Sequence, residues 1–181
     1  MYGIIQNSLK QLVIDMKGHD CWLEIAKNAK AESEYIDNKH YDDEITMSLV
    51  NSACQKLDLE VDACLETFGF HWTTKTAYEI HGFLMDMTGK NFVEFMCNVN
   101  GLHDRLTTAY PDYLAPVFSV TTDGSQMYVI YQSKRKGLSS LVRGMLKGLA
   151  TRFSQEILVV SEEDQSTQDI QKTLFTIELI K

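Results

Sequence analysis

Proline is almost absent from this 181-residue chain; its two residues, Pro111 and Pro116, leave long stretches on either side free to form regular helix or strand. That scarcity, with only ten glycines, excludes a collagenous or low-complexity chain. No apolar run approaches the ~18–20 residues that cross a bilayer, so no membrane partner is expected. The opening Met1-Tyr2-Gly3-Ile4-Ile5-Gln6-Asn7 has neither the basic stretch nor the cleavage site of a signal peptide. Tyr2 also rules out a myristoylation signal, and the expected location is the cytoplasm. Positive charge is in deficit: 17 Lys+Arg face 25 Asp+Glu, a net charge of −8, which argues against binding nucleic acid. The local exception is Lys134-Arg135-Lys136, with Arg143, Lys147 and Arg152 beyond it. Cys21, Cys54, Cys64 and Cys97 form no Cys-x-x-Cys pair and no zinc spacing with a histidine. They are expected to be reduced, buried thiols. A Gly-x-Ser-x-Gly elbow, a glycine-rich phosphate loop and a His-Glu-x-x-His pair are all missing. No enzyme is expected.

What is present is a packed domain. The 44% apolar content and the length suit one core, large enough to hold an internal pocket. Apolar residues recur at helical spacing from Ile4 to Met16, from Cys21 to Ala26, from Ile45 to Leu57 and from Val61 to Phe68, the last stripe ending at Gly69. A weaker helix follows near Thr76–Met85, and a strong stripe runs from Phe92 through Val99, Leu102 and His103 to Leu106. After Pro116 the period changes. Val117 to Val120 and Met127 to Gln132 read as strands around an Asp123-Gly124 turn, Leu138 to Leu149 as helix, and Ile157–Val160 and Leu174–Ile180 as closing strands. The expected class is α+β, a small antiparallel sheet crossed by one helix, with a helical lobe over about residues 1–112 and a mixed lobe over about 113–181.

Two constellations could carry chemistry. Of the five histidines, His19 and His40 lie in polar, turn-like stretches, while His71 precedes Trp72 and His81 precedes Gly82. His103 alone lies on a strong apolar stripe. It reads either as a core histidine bonded to a backbone carbonyl, or as a neutral imidazole ligand inside an apolar cavity, a setting that suits haem iron. Tyr131, Ser133 and Arg135 are two apart and would share one face of a strand. Two hydroxyls and a guanidinium suit carboxylates or a phosphate; the alternative is an edge strand with a solvated end. Asp42, Asp43 and Glu44 read as caps and solvated faces.

Taken in order, Met1-Tyr2-Gly3-Ile4-Ile5, Tyr41-Asp42-Asp43, Phe68-Gly69, Leu102-His103-Asp104, Pro116 and Tyr131-x-Ser133-x-Arg135 resemble the haem–nitric oxide/oxygen-binding (H-NOX) family. That fold is shared by bacterial gas sensors and the sensor portion of soluble guanylate cyclase. The resemblance covers essentially the whole chain and implies one haem sensor domain over 1–181, with haem b between the lobes. His103 would be the proximal iron ligand, Tyr131, Ser133 and Arg135 would bind the propionates, and Pro116 would press on the porphyrin. Ile4 or Ile5, Trp72, Leu141 and Met145 would form the distal wall; a one-residue slip would place Ser140 there instead of Leu141.

The family also implies function: a five-coordinate ferrous haem binding nitric oxide and carbon monoxide, discriminating against oxygen. Nitric oxide would weaken the bond to His103 and the helix carrying it would move. The signal would pass to a separate histidine kinase or cyclic-dinucleotide enzyme, and the short stand-alone chain suggests a bacterial protein. No cysteine follows Cys97 and no histidine follows His103, so the zinc of some members is not expected. Oxygen-binding members place a tyrosine near Leu141, and here there is none. The alternatives are an oxygen- or redox-responsive haem protein, a peroxidase-like haem enzyme with His71 as its one distal candidate, and a haem-free module for apolar ligands.

Overall fold

The computed structural model describes residues 1–180. Six helices come first: α1 (Gly3–Lys17), α2 (His19–Asn28), α3 (Asp43–Leu57), α4 (Val61–His71), α5 (Ala77–Thr88) and α6 (Phe92–Ala109). Then follow β1 (Val117–Asp123), β2 (Gln126–Ser133), α7 (Ser139–Arg152), β3 (Glu156–Asp164) and β4 (Gln171–Ile180). The strands form one antiparallel sheet in the order β1-β2-β4-β3, so the fold is α+β.

Caps and stripes explain the helices. The Asp42 carboxylate accepts the Glu44 N–H at 3.3 Å to open α3, and the Asn91 side chain accepts the Glu94 N–H at 2.9 Å to open α6. Leu9 and Val13 of α1, Trp22 and Ile25 of α2, Leu49 of α3 and Leu65 of α4 close into one buried cluster. Trp22 is fully enclosed, and its indole N–H donates to the Ser33 carbonyl at 2.9 Å. A second cluster joins Phe92, Phe95 and Val99 of α6 to Met127, Val129 and Tyr131 of β2, Leu146 of α7 and Phe175 of β4. These two apolar clusters part between α4 and α5. Periodicity reports local conformation; it does not say which surface covers a stripe, and the sheet covers that of α6.

Gly69 does not end α4. The helix runs to His71 and passes through a π-helical turn, Trp72–Thr76, straight into α5. Gly69 serves packing: a Cβ there would meet the Leu141 carbonyl oxygen at 2.0 Å, and one at Gly144 would meet the Glu66 carbonyl oxygen at 1.9 Å. Helices α4 and α7 thus cross backbone to backbone. Alanine would favour an open helix over glycine by about 1 kcal/mol, but Gly144→Ala is expected to destabilise by roughly 1–3 kcal/mol through overpacking. Gly101→Ala, on an exposed turn of α6 where a Cβ meets nothing within 4 Å, is expected to stabilise by up to about 1 kcal/mol. Urea midpoints of both variants test this; a stabilised Gly144→Ala protein contradicts the crossing.

Central strand β2 turns Met127, Val129 and Tyr131 inward and joins β1 through a tight turn at Gly124-Ser125. It ends at Ser133, and Gly137, with φ of +75°, lets the chain reverse into α7. All four cysteines are free. Cys54 and Cys64 are buried and Cys21 is half-buried, but Cys97 is exposed, contrary to expectation, because it lies on the face of α6 away from the Phe92–Phe95–Val99 stripe. Among the described residues no helix is long and apolar enough to cross a membrane.

Candidate functional site

A cavity of about 210 Å³ lies among α1, α4, α6, α7 and the edge of the sheet. All ten residues singled out from the sequence lie on its wall: His103, Tyr131, Ser133, Arg135, Pro116, Ile4, Ile5, Trp72, Leu141 and Met145. They come from seven separate pieces of chain, which the fold gathers around one space.

His103 projects from α6, the helix whose opposite end is anchored by Phe92 and Phe95. Its Nδ1 lies 3.1 Å from the Pro116 carbonyl oxygen. A carbonyl only accepts, so the proton sits on Nδ1 and the basic lone pair is left on Nε2. Nε2 has no hydrogen-bond partner among the described residues. Burial holds the imidazole below the ordinary histidine range, although the Pro116 carbonyl and Asp104 pull the other way. The ring meets Tyr113 edge-on at 6.0 Å and Phe118 at 5.9 Å between centroids, which fixes its plane. The bond to backbone is thus present in the structure, and it leaves Nε2 as a neutral nitrogen with its lone pair unused.

Tyr131 and Ser133 project from the inner face of β2, whereas Arg135 lies in the bend beyond its end. Strand alternation therefore does not extend to Arg135. The Ser133 hydroxyl accepts the Arg135 backbone N–H at 3.0 Å, and this local turn keeps Arg135 at the cavity. The guanidinium is also tied elsewhere: Nε donates to Asp43 Oδ2 at 2.6 Å and Nη1 to the Leu114 carbonyl at 3.1 Å. Asp43 is consequently no solvated face, as the sequence suggested, but half of an ion pair, and its other oxygen accepts the Met1 amine at 2.6 Å. Burial would raise the Asp43 carboxyl, but Arg135 and the amine outweigh it and hold it below the usual carboxylate range. Burial pushes the Tyr131 phenol up, so it stays a hydroxyl donor.

Most of the remaining wall is apolar, with Tyr2, His81, Tyr110, Asp112 and Tyr113 among it. Leu141 and Met145 face the cavity one helical turn apart, with Val142 beside them, while Ser140 is buried and off the wall. Ile4, Ile5, Phe68 and Trp72 also line the cavity. Sequence reading missed Val142 and Leu138, although both belong to the Leu141–Met145 stripe, and Phe118, which alternates with Val120 along β1. It also missed His81 and Tyr113. His81 reaches the wall because α5 departs from helical geometry there, at φ −119° and ψ 15°, a break that no sequence pattern announces. His71 is buried outside the lining, beside the Asp15–Lys75 pair, so a distal histidine of peroxidase type has no support from its position. Among the described residues no group of three or more His, Cys, Asp or Glu is placed to hold a metal ion.

Comparison with known proteins agrees with this fold. Residues 2–161 match the family described as Haem-NO-binding. The soluble guanylate cyclases gcy-35 and gcy-32 of Caenorhabditis elegans are 28% and 31% identical over 93% and 88% of this chain. The chain spans about a quarter of the length of these relatives, 26% and 24%. Among solved structures, an H-NOX protein from S. oneidensis in the Fe(II)NO ligation state superposes with a TM-score of 0.85 at 23% identity, each chain fully covered. An oxygen-binding H-NOX domain related to soluble guanylate cyclases, in its oxygen complex, gives 0.84 at 20% identity, covering 100% of this chain and 96% of that one. These two likenesses show the fold. With the family match over nearly the whole length, the chain belongs to the Haem-NO-binding family of H-NOX domains.

Proposed function

We propose that this chain is a single haem-based sensor domain over residues 1–181, which holds ferrous haem b on His103 and binds nitric oxide and carbon monoxide in preference to oxygen. The observation that carries the reading is the pairing on one cavity wall of an unpartnered, neutral imidazole nitrogen with a hydroxyl–guanidinium cluster. That donor set fits haem: Nε2 of His103 suits the iron, and Tyr131, Ser133 and Arg135 suit the propionates. When bound, ferrous haem supplies an open coordination position for a diatomic gas.

The chain's own residues set the rest. Pro116 does two things: its carbonyl orients His103, and its ring faces the cavity beside it. Leu141, Met145, Ile4 and Ile5 keep water from the opposite side and present no hydrogen-bond donor. Selectivity against oxygen follows, because oxygen depends on a donor far more than the other two gases do. The α6 helix carries His103 and packs on β1, so a change in the tension on His103 reaches the sheet directly.

The reading extends to a cytoplasmic bacterial protein without catalysis of its own, whose output goes to a separate histidine kinase or cyclic-dinucleotide enzyme. An absorbance titration tests its base. Purified protein should take close to one haem per chain, and the ferrous form should respond to nitric oxide and carbon monoxide but not to air. A protein that takes up no haem supports the haem-free module instead, and turnover of peroxide supports the enzyme.

A further inference from the structure

Tyr113 lies outside the Tyr131–Ser133–Arg135 pattern, yet the fold sets it beside that cluster. It stands in the loop joining α6 to β1, and both of its backbone groups are used: its N–H donates to the Tyr110 carbonyl at 2.9 Å and its carbonyl accepts the Ala115 N–H at 3.1 Å. The loop is therefore an ordered turn, and it carries the Tyr113 side chain to the cavity wall. There the ring meets His103 edge-on at 6.0 Å. The next residue, Leu114, accepts from the Arg135 guanidinium at 3.1 Å, so the loop is tied to the anion-binding end. The Tyr113 hydroxyl lies within electrostatic reach of Arg135 and Tyr131, and it has no hydrogen-bond partner among the described residues.

A hydroxyl on the cavity wall with no protein partner is free to donate a hydrogen bond to whatever fills the cavity. Resting on the reading that the occupant is haem, we propose that Tyr113 is a fourth carboxylate-binding residue, its hydroxyl donating to a haem propionate beside Tyr131, Ser133 and Arg135. Donors are needed there. Two carboxylates offer many lone pairs, while Arg135 already spends N–H groups on Asp43 and Leu114. Burial pushes the Tyr113 phenol up to about 12 against the opposing pull of Arg135, so the hydroxyl keeps its proton throughout the physiological range.

The test compares haem loss from the parent and Tyr113→Phe, each loaded once with haem and once with its dimethyl ester, which has no free carboxylate. A large excess of a haem-scavenging apoprotein makes the loss irreversible. The variant should lose haem about three- to tenfold faster, the worth of one hydrogen bond, and the dimethyl ester, whose uncharged carbonyls accept only a weaker bond, with a smaller acceleration. Equal haem loss from the two proteins overturns the assignment. So does the same acceleration with haem and ester, since it would mean that only ring packing against His103 has changed. A parent chain that takes up no haem overturns the sensor reading itself, whereas a loaded parent with an indifferent variant overturns this assignment alone.

Discussion

His103→Gly is expected to abolish the ferrous spectrum of the parent and to recover it when imidazole is added. The helix should survive the change, since glycine in a helix costs about 1 kcal/mol and Phe92, Phe95, Met96 and Val99 still anchor α6. The variant leaves a ring-sized space bounded by Tyr113, Phe118 and the Pro116 carbonyl. Free imidazole can fill that space in the same orientation, because the carbonyl accepts its N–H as it accepts Nδ1–H of His103. Recovery should saturate with imidazole and fail with a bulkier 2-substituted imidazole that clashes with the aromatic rings. A variant that keeps the parent spectrum without imidazole shows that another residue is the ligand; His81, the other imidazole on the wall, is then the first to replace.

Leu141→Tyr is expected to raise oxygen affinity by about one to two orders of magnitude. Oxygen held on a haem there would carry negative charge on its outer atom, and a hydrogen bond to a charged group contributes ~1.5–3 kcal/mol, which converts to that range. Leu141 faces the cavity from α7 with no polar atom to offer, and its neighbours Val142 and Met145 offer none either. The parent should therefore form no lasting oxy complex in air, while nitric oxide and carbon monoxide affinities change little in the variant. Ser140→Tyr is the control: Ser140 lies off the wall, so its tyrosine should disturb packing and create no oxygen binding. A stable oxy spectrum in the parent would sink the discrimination against oxygen and direct attention to the N–H groups of Trp72 and His81.

Much of this was legible in the sequence because periodicity reports local conformation faithfully. The stripes from Ile4 to Leu106 and the return to helix after Leu138 lie where the pattern put them, and the hairpin turn, at Gly124-Ser125, falls one residue beyond the Asp123-Gly124 signal. What failed were inferences about partners. Gly69 looked like a stop signal, but a glycine that ends a helix and one that admits a neighbouring backbone look alike in sequence; only the position of Leu141 tells them apart. Asp43 looked solvated because its partner, Arg135, lies 92 residues away. Tyr113 carried no signal beyond its place between two prolines, and His81 reaches the cavity through a break in α5. Long-range contacts and local departures from regular geometry are the two things that spacing does not encode.

The Asp43–Arg135 pair has a further consequence. Asp43 opens α3, which belongs to the first packing cluster, while Arg135 leaves β2, which belongs to the second. Arg135 has five N–H groups but a single positive charge, so a carboxylate arriving at the cavity must share that charge with Asp43. Sharing works in both directions: by whatever free energy the Asp43 charge weakens the occupant's hold, the occupant weakens the hold on Asp43. Filling the cavity should therefore raise the Asp43 carboxyl back toward its ordinary range and slacken the tie between the start of α3 and the chain beyond β2. The arginine acts as a charge divider, which makes the fit between the two halves of the protein depend on whether the space between them is filled.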